Sequence, residues 1–340
     1  MFKKFALGAA LTLATIGTTL TTPAFAETKI PFALDWKFEG PSSPYFVAID
    51  KGYFGEEELD VTVTAGQGSL DAIPKVATGS FPIGFADINS LAKFLDENAG
   101  APVTAVMMVY DKPPFAVVGR KSLGIAAPKD LEGKTLGAPP PDGAWAQFPA
   151  FAAANSLDVD KIKVEPVGFP TREPMLAEGK VDAVTGFSFS SYLNLVRLGV
   201  PEDDISTILM ADYGLKLYGN AIIVNTDFAK ANPEKVTGFL RAVAKGWKAS
   251  IADPEGAVKM MVTRNPAADV ALETRRLQLA IDANVMTDYV AANGMGSIDG
   301  ARFAEALEQL KSTMGLSNVG DASLYFDASY LPDDGSLMLK

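Results

Sequence analysis

The chain has 340 residues, which is enough for two domains of ordinary size. Its residues are 48% hydrophobic and 21% charged, a balance typical of a globular protein, and its net charge of −11 excludes the basic surfaces that bind nucleic acid. The chain contains no His and no Cys, which excludes Ser-His-Asp and Cys-His catalysis, disulfides and Cys-based metal sites. We therefore expect a protein that is not an enzyme and that uses no cofactor or metal ion.

The first 26 residues have the pattern of an export signal. Lys3 and Lys4 precede an uncharged, largely apolar stretch that ends in Ala24-Phe25-Ala26, which fits the cleavage rule for signal peptides. A membrane anchor is the alternative, but the apolar part is shorter than the roughly 18 residues that a span needs. The sequence predicts cleavage before Glu27 and a soluble periplasmic protein, whose net charge falls from −11 to −13 with the loss of the two lysines.

Strands and helices alternate in the part of the chain that follows. We predict strands at 29–35, 59–64 and 81–85, and helices at 44–51 and 69–77, with Ser69 as the N-cap of the second helix. The pattern restarts after a strand at 115–119, with strands at 135–138, 163–167 and 181–185 and a helix at 144–156. This alternation favours an α/β fold with parallel sheets.

The chain is predicted to form two lobes. After Tyr218-Gly219 comes another apolar strand at 220–225, followed by helices that begin at Pro233 and cover 254–263, 269–292 and 299–314. Lobe 1 is predicted to contain residues 27–119 and 219–340, and lobe 2 residues 120–218. Two lobes joined by crossing segments form a cleft that closes around a ligand by a hinge motion.

No complete catalytic motif is present, but two turns have equivalent positions in the two lobes. Residues 66–69 and 141–144 each follow a strand and open a helix, so their backbone N–H groups are expected to face the cleft. Aromatic residues are frequent in the same loops and would suit a flat ring held by stacking. Arg172 is a candidate for binding an anionic group, with a surface ion pair to Glu173 as the alternative.

The sequence resembles the NMT1/THI5-like group of periplasmic solute-binding proteins. The segments that carry the resemblance are LDWKFEGPSSPYFVAIDKGYFGEEELDVTV, GQGSLDAIPKVATGSFPIGFAD, DLEGKTLGAPPPDGAW and LAEGKVDAVTGF. The resemblance implies an α/β, two-lobed type II periplasmic binding fold and a small-molecule ligand between the lobes. Where thiamine-pyrimidine binders of the group typically have a His in the first loop, this chain has Ser42.

We therefore predict the substrate-binding component of an ABC importer that captures a small planar heterocycle or aromatic acid, resembling a pyrimidine precursor. It is expected to be a monomer whose partner is an ABC permease of the inner membrane. A sulfonate, taurine, nitrate or similar small anion is the alternative ligand. A sensory binding protein and an enzyme that uses Asp or Lys chemistry are further alternatives.

The candidate ligand-binding residues come from both lobes. Trp36, Phe38 and Trp145 are predicted to stack on the ligand. The full set is Asp35, Trp36, Phe38, Ser42, Gly68, Ser69, Asp87, Asp142, Gly143, Ala144, Trp145, Arg172, Phe187, Phe189 and Tyr218.

Overall fold

Two five-stranded sheets form the framework of the protein. The computed structural model describes residues 1–2, 27–317 and 320–340, so the predicted signal peptide lies almost wholly outside the described residues. In chain order the strands are β1 (Thr28–Ala33), β2 (Leu59–Thr64), β3 (Ile83–Asp87), β4 (Val103–Met108), β5 (Phe115–Arg120), β6 (Thr135–Ala138), β7 (Lys163–Pro166), β8 (Ala183–Phe187), β9 (Ile205–Leu209) and β10 (Asn220–Asn225).

Helices cover both sheets. They are α1 (Ser43–Asp50), α2 (Ser69–Ala77), α3 (Ile88–Glu97), α4 (Gly143–Ala154), α5 (Phe169–Ala177), α6 (Ser188–Arg197), α7 (Thr226–Ala231), α8 (Pro233–Ala252), α9 (Pro254–Val262), α10 (Val270–Ala280), α11 (Asp288–Asn293) and α12 (Gly300–Met314). In the described part of the chain, no helix is long and apolar enough to cross a membrane.

The two sheets have the same plan. The first has the strand order β2-β1-β3-β10-β4 and the second has the order β7-β6-β8-β5-β9. The α/β class is confirmed, but the expectation of purely parallel sheets is wrong, because β10 and β5 run antiparallel to both of their neighbours. The chain reaches β5 directly from the first sheet and reaches β10 directly from the second sheet. The parallel strands, by contrast, are linked by helical crossovers within one sheet.

Two segments link the sheets, at 109–114 between β4 and β5 and at 210–219 between β9 and β10. The strand predicted at 115–119 lies in the second sheet, where it pairs with β8 and β9, although the sequence analysis had placed it in lobe 1. Strand alternation locates a strand along the chain without showing which sheet it joins, and this explains the misplaced boundary. In the remainder of the article, lobe 1 is the part built on the first sheet and lobe 2 the part built on the second.

The helices show one success and one error of the sequence prediction. The helix predicted to begin at Pro233 is α8, which buries an apolar stripe that includes Trp247. The helix predicted at 269–292 is interrupted, because α10 ends at Ala280 and a turn of π-helix at Ile281–Val285 separates it from α11. Apolar spacing continues across such a turn, so it does not reveal the interruption.

Candidate ligand-binding cleft

A cleft lies between the lobes, at the carboxyl ends of the parallel strands, where open α/β sheets bind their ligands. It contains two adjoining cavities of about 350 and 360 Å³, measured with their openings to solvent. We call the first the arginine cavity, lined by Asp35, Trp36, Gly68, Ser69, Asp142, Gly143, Phe169, Arg172, Phe187 and Ser190. We call the second the tyrosine cavity, lined by Leu34, Asp35, Trp36, Lys37, Glu39, Pro41, Ser42, Tyr45, Phe85, Tyr110, Phe187, Phe189 and Ser190.

The two lobes are in contact across the cleft, so the structure represents a closed form. Trp36 of lobe 1 and Phe169 of lobe 2 meet edge to face, with their ring centroids 4.6 Å apart. The side chain of Gln147 in lobe 2 donates a hydrogen bond of 3.1 Å to Asp87 in lobe 1. A Cβ atom on Gly68 would lie only 2.5 Å from the carbonyl oxygen of Pro141, so a side chain at this position would hold the lobes apart.

Arg172 is buried at one end of the cleft and is fully engaged by carboxylates. Its Nε donates a 2.8 Å hydrogen bond to Glu173, and its Nη1 lies 3.7 Å from a carboxylate oxygen of Asp142. The guanidinium also lies 5.9 Å from the centre of the Trp36 ring. Gly186 leaves room for this arrangement, since a Cβ there would be 3.1 Å from the guanidinium carbon. Arg172 therefore lines the cleft, and its ion pair with Glu173 is buried and does not lie on the surface.

Asp35 is a buried carboxyl group on the wall that the two cavities share. Its Oδ2 accepts hydrogen bonds from the side chains of Asn220, at 2.6 Å, and Ser69, at 3.2 Å. Burial raises the pKa of Asp35 from 3.8 to about 7, against the opposing effect of these two hydrogen bonds. Asp35 therefore keeps its proton to a higher pH than an exposed carboxyl group does.

Ser69 has a different role from the predicted one. The N-cap of α2 is Gly68, whose φ of +103° favours glycine, and Ser69 is the first residue of the helix. Its hydroxyl donates to Asp35 and accepts a 3.0 Å hydrogen bond from the backbone N–H of Asp87. Ser69 thus joins the ends of β1 and β3 and fixes the position of the Asp35 carboxyl group.

Glu39 lies on the wall of the tyrosine cavity. The hydroxyl of Ser190 donates a 2.9 Å hydrogen bond to Glu39 Oε2, and Arg276 approaches the same oxygen at 3.7 Å. Arg276 is itself buried and binds Glu273 more closely, at 2.9 Å. The phenol of Tyr110 also lines this cavity, and its pKa is raised well above 10 by burial and by the charges of Asp35 and Glu39.

Ten of the fifteen predicted residues line one or both cavities. They are Asp35, Trp36, Ser42, Gly68, Ser69, Asp142, Gly143, Arg172, Phe187 and Phe189. The other five do not line them: Phe38, Asp87, Ala144, Trp145 and Tyr218. The segments that follow β1, β2, β6, β7 and β8 all contribute residues to the cleft.

Two of the three residues predicted to stack on a ligand lie elsewhere. Trp145 projects from α4 into a separate groove beside Leu70, and its ring stacks on Phe148 at a centroid distance of 5.4 Å. Phe38 packs edge to face against Phe46, at 5.0 Å. Successive side chains of a helix or loop beside a cleft point in different directions, and the apolar ones that point away from the cleft pack against other parts of the protein.

The remaining three residues have structural roles. Asp87 is fully buried and caps α3, accepting hydrogen bonds from the backbone N–H groups of Asn89 and Ser90. Ala144 is buried, and its N–H donates to the side chain of Asp142, which caps α4. The predicted free N–H groups at the start of α4 are thus partly used by the cap.

Tyr218 lies in the core, outside both cavities. The guanidinium carbon of Arg302 lies 3.9 Å from the centre of its ring, and its hydroxyl accepts a 2.7 Å hydrogen bond from the N–H of Asp299. Its position directly before β10 made it a plausible cleft residue, but its ring points into the packing against α12, beside Phe303.

Nine residues that line the cavities were not predicted. They are Leu34, Lys37, Glu39, Pro41, Tyr45, Phe85, Tyr110, Phe169 and Ser190. A signal existed for Phe169, which opens a helix directly after β7 as Ser69 does after β2. Tyr110 begins the first crossing between the lobes, and such crossings necessarily pass the cleft. Within the described ranges, no cluster of three or more Asp and Glu side chains is arranged to hold a metal ion.

Comparison with known proteins identifies the family. The family model described as NMT1/THI5 like matches residues 41–257, which is more than half of the chain. The chain belongs to the NMT1/THI5-like family. This confirms the resemblance inferred from the sequence, and the match includes cleft residues from both lobes of this family member.

Relatives of this family member include both binding proteins and enzymes. A riboflavin-binding protein of Chloroflexus aurantiacus is 27% identical over 332 residues, which cover 92% of each chain. A formylaminopyrimidine-binding protein of Halalkalibacterium halodurans is 26% identical over 78% of this chain and 79% of its own length. A pyrimidine phosphate synthase of Saccharomyces cerevisiae is 28% identical over 74% and 75%, so the family also contains enzymes.

Solved structures confirm the two-lobed fold. The periplasmic aliphatic sulphonate binding protein of Escherichia coli superimposes with a TM-score of 0.67 over 86% of this chain and 88% of its own, at 12% sequence identity. At that identity the likeness establishes the fold, which is that of a periplasmic binding protein.

Proposed function

We propose that this protein is the solute-binding component of an ABC importer and that it encloses a small planar heterocycle between its lobes. The observation that carries the proposal is the cleft itself, which both lobes build. The two buried arginines near it, Arg172 and Arg276, already have carboxylate partners. A cleft with aromatic walls and few convergent polar groups is the usual form of a site for a flat organic ligand.

The aromatic walls favour a ring as the ligand. Trp36 is shared by both cavities, Phe169 closes the arginine cavity from lobe 2, and Phe187 lies where the cavities meet. Flat aromatic side chains bind ring faces by stacking and ring edges by edge-to-face contact. Asp35 and Ser69 supply polar groups at the edge of the same space. The riboflavin- and pyrimidine-binding relatives are consistent with such a ligand.

A small anion fits this cleft less well. A sulfonate or nitrate needs a positive group that is not already neutralised, and Arg172 is paired with Glu173 at 2.7 Å and lies 3.7 Å from Asp142. Arg276 is paired in the same way with Glu273. This chain therefore shares its fold with the sulphonate binder, but the charges around the cleft of this chain argue for a different ligand.

Binding without turnover is the second part of the proposal. The chain has no His and no Cys, so the cleft has no imidazole base and no thiolate nucleophile. Of the serines that line it, Ser69 and Ser190 donate to the side chains of Asp35 and Glu39, and Ser42 donates to the backbone carbonyl of Glu39. All three are therefore held as positioning groups. A bound solute should be recovered from the protein chemically unchanged, as mass spectrometry of the eluted ligand would show.

The cellular role follows from the same proposal. Residues 1–26 act as a signal peptide, and the protein beginning at Glu27 is a soluble periplasmic monomer. The lobes, residues 27–108 with 220–340 and residues 115–209, close on the solute, and the closed form delivers it to a permease in the inner membrane. Hinge closure of this kind is the general motion of two-lobed binding proteins.

A thermal-shift panel on the protein beginning at Glu27 tests the ligand class. The protein is first unfolded and refolded to remove any solute that copurifies with it. The panel contains pyrimidines, flavins, aromatic acids, alkanesulfonates, taurine and nitrate. A ligand at about 100 times its Kd stabilises the fold by about 2.7 kcal/mol, which raises the Tm by a few degrees. We expect shifts with planar rings, and shifts confined to sulfonates or nitrate would contradict the proposal.

A further inference from the structure

The tyrosine cavity has two carboxylates among aromatic rings, and neither carboxylate has a cation of its own. Arg172 is balanced by Glu173, and Arg276 is held more closely by Glu273, at 2.9 Å, than by Glu39, at 3.7 Å. This leaves Asp35, which forms no ion pair with any described residue, and Glu39, which has only a share of Arg276.

Each of the two carboxylates has one oxygen in use and one without a hydrogen-bond partner. Asp35 Oδ2 accepts from Asn220 and Ser69, and Glu39 Oε2 accepts from Ser190. In the part of the chain that the structure describes, no group donates to Asp35 Oδ1 or to Glu39 Oε1. Both residues line the tyrosine cavity, so these oxygens are available to a hydrogen-bond donor of a bound solute.

Aromatic rings line the same cavity as these two carboxylates. Phe85 contacts Tyr110 edge to face with centroids 5.5 Å apart, and Tyr110 contacts Phe187 and Phe189 at 6.5 and 6.1 Å. Tyr45 contacts Phe85 at 6.0 Å, which makes the wall continuous. Aromatic faces attract cations through the ring quadrupole, and a box of several rings is a common way to bind an ammonium group.

The phenols report the sign of the potential in the cavity. Burial is the largest cause that raises the pKa of Tyr110, and the charges of Asp35 and Glu39 raise this pKa further. Burial also raises the pKa of Tyr45, with smaller contributions from Tyr110 and Asp35. The lysine that lines this cavity, Lys37, is exposed, and its ammonium lies over the Trp36 ring, 5.1 Å from its centre. The inner part of the cavity is therefore negative.

We propose that the tyrosine cavity binds a positively charged amino group of the solute, beside Glu39 and Asp35, while the ring of the solute lies against Trp36 and Phe187. The inference rests on the proposed function and narrows its ligand class from planar heterocycles to those that carry an amine or ammonium substituent. The arginine cavity then holds the uncharged edge of the ring, because its own charges are already paired.

Paired probes test this inference by isothermal titration calorimetry at about pH 8, which lies above the pKa of about 7 of Asp35 and below that of an alkylamine. One probe is a pyrimidine with an aminomethyl group, and the other is the same pyrimidine with a hydroxymethyl group. Benzylamine and benzyl alcohol form a second pair. We expect the amine of each pair to bind about tenfold more tightly.

Two variants assign the preference to the cavity. Glu39→Gln keeps the shape and the acceptor for Ser190 but removes the charge, and it should reduce the preference for the amine over the neutral probe to about threefold or less. Glu165→Gln makes the same change of charge on the partly exposed strand β7, at a residue that lines neither cavity, and should retain the full preference.

The outcomes separate the inference from the proposed function. Equal or weaker binding of the amines, or a preference that persists in Glu39→Gln, overturns the cationic ligand while leaving a planar solute in place. Binding of the neutral probes without binding of the amines would also overturn the cationic ligand and leave a planar solute in place. Failure of every planar compound, charged or neutral, in the refolded protein overturns the proposed function. The Tm of each variant, measured without ligand, shows that the comparison is made on folded protein.

Discussion

The two cavities of the cleft contain similar residue types but different charge balances. In the arginine cavity, Arg172 has Glu173 and Asp142 within 4 Å, and these carboxylates have hydrogen-bond donors of their own in Ser191 and Thr185. In the tyrosine cavity, Asp35 and Glu39 each retain an oxygen without a donor among the described residues.

The difference shows that charged residues in a cleft can serve the fold or the ligand, and that their partners decide which. A charged group whose partners complete its coordination is a structural unit that shapes the wall beside it. A charged group with an unused lone pair in a space open to a solute is available for recognition. We therefore assign Arg172 mainly to the architecture of the cleft and Asp35 and Glu39 mainly to recognition.

The largest expected effect tests the structural role of Arg172. Arg172→Met leaves Glu173 and Asp142 buried without their cation, and it should lower the free energy of unfolding by about 3–5 kcal/mol. Urea unfolding measures this loss, with Arg197→Met on the exposed end of α6 as the control, for which a change below about 0.5 kcal/mol is expected. A small loss in Arg172→Met would mean that the arginine is free for an anionic ligand after all.

A smaller effect of opposite sign is expected for Asp35. Its pKa in the folded protein is about 7, against 3.8 unperturbed, so its contribution to stability is complete below about pH 3.8 and is lost as the pH rises through 7. Asp35→Asn removes the free-energy cost of ionising a buried carboxyl group at pH 8, so it should stabilise the unliganded protein at that pH. The net gain is about 1–2 kcal/mol, because weaker hydrogen bonds to Ser69 and Asn220 offset part of it.

The pH dependence checks the sign of this effect. The stability difference between Asp35→Asn and the unsubstituted protein should shrink as the pH falls from 8 towards 4, in urea unfolding at each pH. Asp60→Asn, at an exposed position of β2, provides the control without this dependence. If Asp35→Asn destabilises the protein equally at both ends of the range, Asp35 serves the fold, and the contrast between the two cavities is wrong.

Much of the fold could be predicted from the sequence, because it depends on local patterns. The strands β2, β6 and β10 and the helix α2 have the predicted bounds, since apolar alternation, capping residues and glycines mark their ends. The direction of β5 and its place in the second sheet could not be predicted in this way. They depend on pairing between residues far apart in the chain, which local periodicity does not encode.

For the candidate site, too, the features that depend on topology could be predicted and those that depend on side-chain packing could not. The loops after the parallel strands were predictable, because topology brings the carboxyl ends of these strands together, and Asp35, Trp36 and Asp142 follow such strands. The direction of individual side chains was not. Trp145 and Trp36 looked equivalent in sequence, and only packing against Phe148 turns the first one away from the cleft. The charge balance of Arg172 likewise depends on contacts that the sequence does not show.

These two tryptophans allow the most direct test of the central claim, that a planar solute lies in the cleft against Trp36. Calorimetric titration of the best ligand from the panel would be compared among the unsubstituted protein, Trp36→Ala and Trp145→Ala. The account predicts that Trp36→Ala weakens binding about tenfold or more through the loss of stacking, and that Trp145→Ala leaves the Kd within about twofold. Unchanged affinity in Trp36→Ala, or a larger loss in Trp145→Ala, would contradict it.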